Sequence, residues 1–164
     1  MITQLNVQPM DEENYLKYFA LFSLVIGTIF ISGVLESFIS QYFFNESVVT
    51  TSLNIIRVFL YISMVVIIFR MSAPANRVLK KTLYWGNFQD EYLNYISAKG
   101  YNYAFNFVFL YLVVAYLFID LFGEFPESIS LVQDLQGFCE LSAGLMLICY
   151  ALVVLYLLKG ADDE

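Results

Sequence analysis

Residues 70–99 read RMSAPANRVLKKTLYWGNFQDEYLNYISAK, and this stretch decides how the rest of the chain is arranged. It holds five of the eight Lys and Arg residues, Arg70, Arg77, Lys80, Lys81 and Lys99, with an apolar hairpin on either side. Basic loops stay on the cytoplasmic side during membrane insertion. The stretch therefore predicts a cytoplasmic loop, 70–101, that orients both hairpins and places both termini in the cytoplasm.

Composition sets the class. Hydrophobic residues make up 60% of the 164 positions, charged residues only 14%, and the mean hydropathy is +0.68, against the roughly one-quarter charged fraction of soluble domains. A spanning helix consumes ~20 residues. The chain is therefore filled by four spans at about 15–38, 49–69, 102–122 and 137–158, which form a single transmembrane domain over 1–164. The expected fold is all-α, a polytopic four-helix up-and-down bundle in the cytoplasmic membrane. Lys17 with Tyr15 and Tyr18 marks one interfacial anchor, and the two short loops, 40–47 and 123–136, contain no Lys or Arg. Residues 1–13 have no basic n-region, which argues against a cleavable signal peptide. Asp11, Glu12 and Glu13 stand where acidic groups favour the positive end of a helix dipole, so the first helix should begin near Glu12.

Inside the loop, Ser72 is placed to cap a short helix with Pro74 in its first turn, and Gly86 and Asn87 end it. On a helical wheel Arg77, Lys80, Lys81 and Tyr84 share one face, while Val78, Leu79, Thr82 and Trp85 occupy the other. That pattern is a basic amphipathic helix at the lipid surface, with Arg77, Lys80, Lys81 and Trp85 as candidate contacts to lipid or a partner. Asn87 is then placed to cap a further helix with Asp90 and Glu91 in its first turn. From there Asp90, Glu91, Ile96, Lys99, Gly100, Ala104 and Phe105 follow the pattern D-E-x4-I-x2-K-[AG]-x3-A-F. This resembles the start of a span in small four-helix prokaryotic membrane proteins of unknown function. The resemblance implies a fold and a location, and no activity.

Several chemistries lack their usual groups. The chain has no histidine, and Cys139 and Cys149, ten residues apart on one predicted helix, would stand ~15 Å apart, beyond disulfide reach. Zinc, haem and thiol-relay sites lose their ordinary ligands, so no metal, cofactor or catalytic residue is expected. The net charge of −7 comes from acids at the two ends and in the non-basic loops, and nothing favours nucleic acid.

The informative residues lie far from the basic loop. Glu36 is nineteen residues from Lys17, and Glu140 nineteen from Lys159, placing each carboxylate ~28 Å above the inner boundary. Asp120, twenty-one residues past Lys99, reaches a similar height. Arg57 starts ~20 Å up, and its long side chain snorkels towards the acids. Glu36 shares a helix face with Thr28, Ser32 and Gly33, and Glu140 shares one with Gly137, Ala143, Gly144 and Ala151. Such small-residue faces pack helix against helix. Arg57 shares its face with Asn54, Tyr61 and Met64, and Asp120 its own with Asn106, Val113 and Tyr116. The expectation is an inward cluster of Glu36, Arg57, Asp120, Glu140 and Asn54, with Glu36 as the arginine's partner and Tyr61, Tyr111, Tyr116 and Tyr150 nearby. An arginine near mid-bilayer costs about 2.5–3.5 kcal/mol and needs such a partner.

Two functions fit this object. One is a non-enzymatic accessory, regulatory or sensory protein that contacts the lipid bilayer, a membrane or cytoplasmic protein and, through self-association, copies of itself. The other is a small oligomeric transporter or channel using an outward-facing acidic cavity around Arg57.

Overall fold

A computed structural model describes residues 9–42, 46–78, 82, 88–122 and 135–162. Four long helices account for nearly all of them: α1 (Pro9–Tyr42), α2 (Glu46–Ala75), α3 (Glu91–Phe122) and α4 (Leu135–Asp162). At 1.5 Å per residue α1 is about 51 Å long, well beyond the ~30 Å hydrocarbon thickness of a bilayer. Each helix overruns the apolar segment that predicted it. The expected loop at 40–47 shrinks accordingly, because helix continues to Tyr42 and resumes at Glu46.

Among the described residues three segments are long and apolar enough to cross a membrane: Pro9–Ser37, Thr51–Ala75 and Gly137–Gly160. The distribution of side chains agrees with an apolar surrounding. Phe59, Ile62, Phe69, Phe105, Phe109 and Leu110 are all exposed, while the buried positions include Ala20, Ser23, Gly27, Ser32, Gly144 and Ala151. Large apolar groups face outward and small ones fill the seams, as expected where the outside is as apolar as the inside. The hydroxyls in these helices bond to their own turn: Ser23 donates to the Phe19 carbonyl, Thr28 to Leu24, Ser52 to Val48, Ser63 to Phe59 and Ser142 to Phe138. With no water in a bilayer core, a hydroxyl must find its acceptor internally.

α1 and α4 form the central antiparallel pair, α2 packs against α1, and α3 packs against α4. The closest approach is at two glycines. A Cβ built on Gly27 would stand 2.8 Å from the carbonyl oxygen of Gly144, and one on Gly144 would stand 3.0 Å from the carbonyl oxygen of Gly27. Only residues without a side chain let these backbones touch. Gly100 of α3 serves the neighbouring seam, where a Cβ would meet Val154 at 2.7 Å and the Tyr150 ring at 3.0 Å.

The apolar core sits at the end of the molecule nearest the basic segment. Tyr15, Leu16 and Ala20 of α1 meet Leu93, Ile96 and Ala104 of α3, Tyr150, Ala151, Val154 and Leu158 of α4, and Val78 and Phe88 between the hairpins. Residue 9 and residue 162 therefore lie at the same end of the molecule as residues 76–78, 82 and 88–90. Pro74 does not open a new helix, since α2 runs through it to Ala75 and Ser72 donates back to the Phe69 carbonyl within that helix. A turn follows, with the amides of Arg77 and Val78 bonded to the Pro74 carbonyl. Val78 and Thr82, expected on one apolar face, are buried against the bundle end, whereas Leu79 and residues 83–87 lie outside the described residues.

Candidate functional site

The candidate site is an intramembrane charge cluster built on α1 around Gly33. Three positions of α1 create it. Ser32 is buried and offers both its hydroxyl and its carbonyl, Gly33 leaves a hole, and Glu36 stands one turn further on. From α2, Arg57 reaches across, donating from Nη1 to Glu36 Oε2, from Nε to Ser32 Oγ at 3.0 Å and from Nη2 to the Ser32 carbonyl at 2.8 Å. Ser32 Oγ in turn donates to the Ile29 carbonyl at 2.7 Å. The guanidinium thus has three of its five donors engaged by one short stretch of α1. From α4, Glu140 approaches the same point: a Cβ on Gly33 would lie 3.3 Å from Glu140 Oε2 and 3.7 Å from Arg57 Nη2.

The Arg57 and Glu36 side chains are 19% and 27% exposed. That places the pair between a surface ion pair, worth about 0–1 kcal/mol, and a fully buried one, whose rupture costs about 3–5 kcal/mol. The hydrogen bonds to Ser32 make the difference, because they fix the guanidinium plane as well as its charge. Two carboxylates, those of Glu36 and Glu140, thus stand near one guanidinium.

Of the five residues expected here, Glu36, Arg57 and Glu140 converge. Asn54 does not join them: it is exposed on the flank of α2, while the α1-facing row of that helix is Leu53, Arg57, Leu60, Met64, Ile67 and Met71. Asp120 belongs to α3, but its side chain, like that of Tyr116, lies outside the described residues. The tyrosines expected to line a cavity are elsewhere. Tyr61 is exposed, Tyr150 is buried in the apolar core at the opposite end against Phe19 and Tyr101, and Tyr111 stacks on Phe138. The Tyr111 hydroxyl is buried without a hydrogen-bond partner among the described residues.

At the other end, Arg77 is exposed and donates to Asp11 Oδ1 at 3.3 Å. Lys80, Lys81 and Trp85 lie outside the described residues.

The sequence reading missed a second polar site. Glu12, treated above as a group at a helix dipole, is only 1% exposed and binds residues seventy or more positions away. Its Oε2 accepts from the amides of Gln89 (2.9 Å) and Asp90 (3.2 Å), and its Oε1 from Gln89 (3.1 Å) and from Thr82 Oγ1 (3.4 Å). The carboxylate clamps the basic segment to the start of α3. That start is capped by Asp90, not Asn87: Asp90 Oδ1 accepts from the amides of Tyr92 (2.8 Å) and Leu93 (3.2 Å). Asp and Asn are equally good caps, so local sequence alone leaves the choice open. Nothing local announces the long-range role of Glu12.

Comparison of the chain with protein-family models, with curated proteins and with solved structures finds no match.

Proposed function

We propose that this chain is a four-span protein of a prokaryotic cytoplasmic membrane, with both termini and residues 70–101 in the cytoplasm, acting as a non-enzymatic accessory, regulatory or sensory partner of another membrane protein. The fourth span of the reading is α3 over residues 102–122. The observation that carries the partner role is the position of α2. Among the described residues its extensive packing is on α1, and between residues 51 and 73 no described side chain is buried. Ile55, Phe59, Ile62 and Val66 form a continuous apolar row facing away from α1, with Asn54 exposed on one flank. A spanning helix held on one side, with a polar amide at its flank, is suited to receive a further helix, since interhelical hydrogen bonds and close packing drive such association in lipid. The cytoplasmic contact of the same partner is Arg77, Lys80 and Lys81.

A photo-crosslinking residue at Phe59 or Ile62 should capture a discrete membrane protein, and neutralising Arg77, Lys80 and Lys81 together should weaken its recovery without lowering expression. Crosslinking only to lipid, together with purification of the chain alone, would overturn the reading.

A second reading rests on the pair of carboxylates. Glu36 and Glu140 beside Arg57 at the position of Gly33 form a place where a cation or proton can exchange, as a small oligomeric transporter or channel requires. Ion flux through liposomes containing the purified chain, abolished by Glu140→Gln, would favour that reading over the partner role.

A further inference from the structure

Outside the charge cluster, α3 and α4 leave between them an open groove of about 390 Å³, lined by Lys99, Tyr103, Leu152, Val153, Tyr156 and Leu157. Its floor is aliphatic and it holds a single cation. Among the described residues the ion pairs are Arg57 with Glu36 and Arg77 with Asp11, so neither provides a counter-charge for Lys99. Lys99 Nζ donates instead to the Tyr95 hydroxyl at 2.8 Å and lies 5.0 Å from the centre of the Tyr95 ring. That contact with Tyr95 raises the amine above its ordinary value and keeps it charged. It also occupies one of three ammonium donors, leaving two for an external acceptor.

Position adds to the chemistry. Lys99 stands just before the 102–122 segment, and Tyr95 one turn before it, Tyr103 one turn after it and Tyr156 across the groove are all exposed. Exposed tyrosines beside a basic residue at the start of an apolar segment are the mark of a membrane interface, where an apolar ring body meets a wet hydroxyl. On α4 the lining runs deeper from Tyr156 and Leu157 to Leu152 and Val153, away from the amine's side of the interface. A cation at headgroup level above an aliphatic trough about two turns long fits one kind of occupant. A helix of another protein would leave the ammonium facing an apolar side chain or demand a matched carboxylate, whereas an anionic phospholipid supplies both phosphate and acyl chain.

We propose that the α3–α4 groove is a binding site for one anionic phospholipid, its phosphate held by Lys99 and the flanking tyrosine hydroxyls and an acyl chain lying along Leu152. The site is separate from Arg77, which pairs with Asp11.

The test uses the full chain, purified in detergent free of anionic lipid. Native mass spectrometry and thermal unfolding are followed with phosphatidylglycerol, phosphatidylcholine or inorganic phosphate added. Phosphatidylglycerol should be retained as a single adduct and raise the unfolding temperature, with phosphatidylcholine and phosphate ineffective. Lys99→Gln should weaken retention about fivefold, Lys99→Arg should preserve it, and Arg77→Gln should leave it unchanged. Leu152→Trp, which fills the trough without altering charge, should abolish the adduct while the protein unfolds cooperatively. Equal retention of both lipids, protection by phosphate alone, or an undiminished adduct in both Lys99→Gln and Leu152→Trp would overturn the proposal.

Discussion

Replacing Glu12 separates two accounts of the same residue. If it served only the dipole of α1, its charge alone would matter, and loss of that charge would cost about 0.3–1 kcal/mol. Glu12→Asp would then be silent. The structure gives it a different task, since its carboxylate is 1% exposed and accepts from two backbone amides and one hydroxyl across the 82–90 segment. A hydrogen bond to a charged group contributes about 1.5–3 kcal/mol. Simple addition over three donors overstates the loss, because Gln89 is exposed and water can reach its amide once the acid is gone. The expected cost of Glu12→Ala is about 2–4 kcal/mol. Glu12→Gln keeps one acceptor oxygen and the reach, and should cost about 1–2 kcal/mol. Glu12→Asp keeps the charge but withdraws the carboxylate by one methylene, beyond the reach of the Gln89 and Asp90 amides, and should cost nearly as much as alanine.

The chain has one tryptophan, Trp85, inside the clamped segment, so its fluorescence during thermal unfolding in detergent reports the relevant part. At about 3 °C per kcal/mol for a chain of this size, Glu12→Ala should lower the midpoint by about 6–12 °C. Hydrogen exchange of the amides at 89–93 should accelerate in parallel. A silent Glu12→Asp, with Glu12→Ala costing under about 1 kcal/mol, would refute the clamp.

Two further outcomes follow from geometry. Gly27→Ala puts a methyl 2.8 Å from the Gly144 carbonyl oxygen and should destabilise by about 1–3 kcal/mol, whereas the same change at Gly160, with nothing within 4 Å, should be neutral or stabilise by up to about 1 kcal/mol; thermal unfolding of both variants distinguishes them. Cys139 is exposed near the start of α4 and Cys149 half-buried two to three turns on, so the proposed orientation predicts that a membrane-impermeant maleimide labels Cys139 in cells with an opened outer envelope and spares Cys149 and an introduced Lys80→Cys.

The fourth expected span, over 102–122, is helical but is not among the three segments apolar enough to cross a membrane, whereas the all-α character and the other three spans were legible because they depend on run length. So was the pairing of Arg57 with Glu36, since a tight hairpin leaves an intramembrane arginine few partners. What escaped depends on phase between helices distant in sequence. Gly144 was visible as part of a small-residue face, but its contact Gly27 was not, because a glycine's role there is set by the opposing backbone. Asn54 was misassigned by a helical wheel that put it near Arg57's face, when the α1-facing row of α2 passes through Leu53 and Leu60 instead. Pro74 was read as a helix start because proline favours first turns, yet it sits in the last turn of α2, where its missing N–H and its ring disturb only the end of the helix.

The two ends of the molecule are held by unlike means, and this bears on what each can do. Towards the basic segment, an apolar core and the Glu12 clamp join α1, α3 and α4 with Val78, Thr82 and residues 88–90. Midway along, glycine contact holds α1 to α4, and beyond it Arg57 supplies polar contacts that bind α2 to α1. Breaking the Arg57 bonds should therefore loosen α2 before it disturbs the central pair. Glu140 stands beside that latch, so anything that competes for Glu36, whether a cation, a proton or a polar group on a neighbouring helix, acts first on the attachment of α2. The partner reading and the ion-binding reading thus converge on one mechanical element, and they differ in whether α2's outer face or the charge cluster is the side on which the signal arrives.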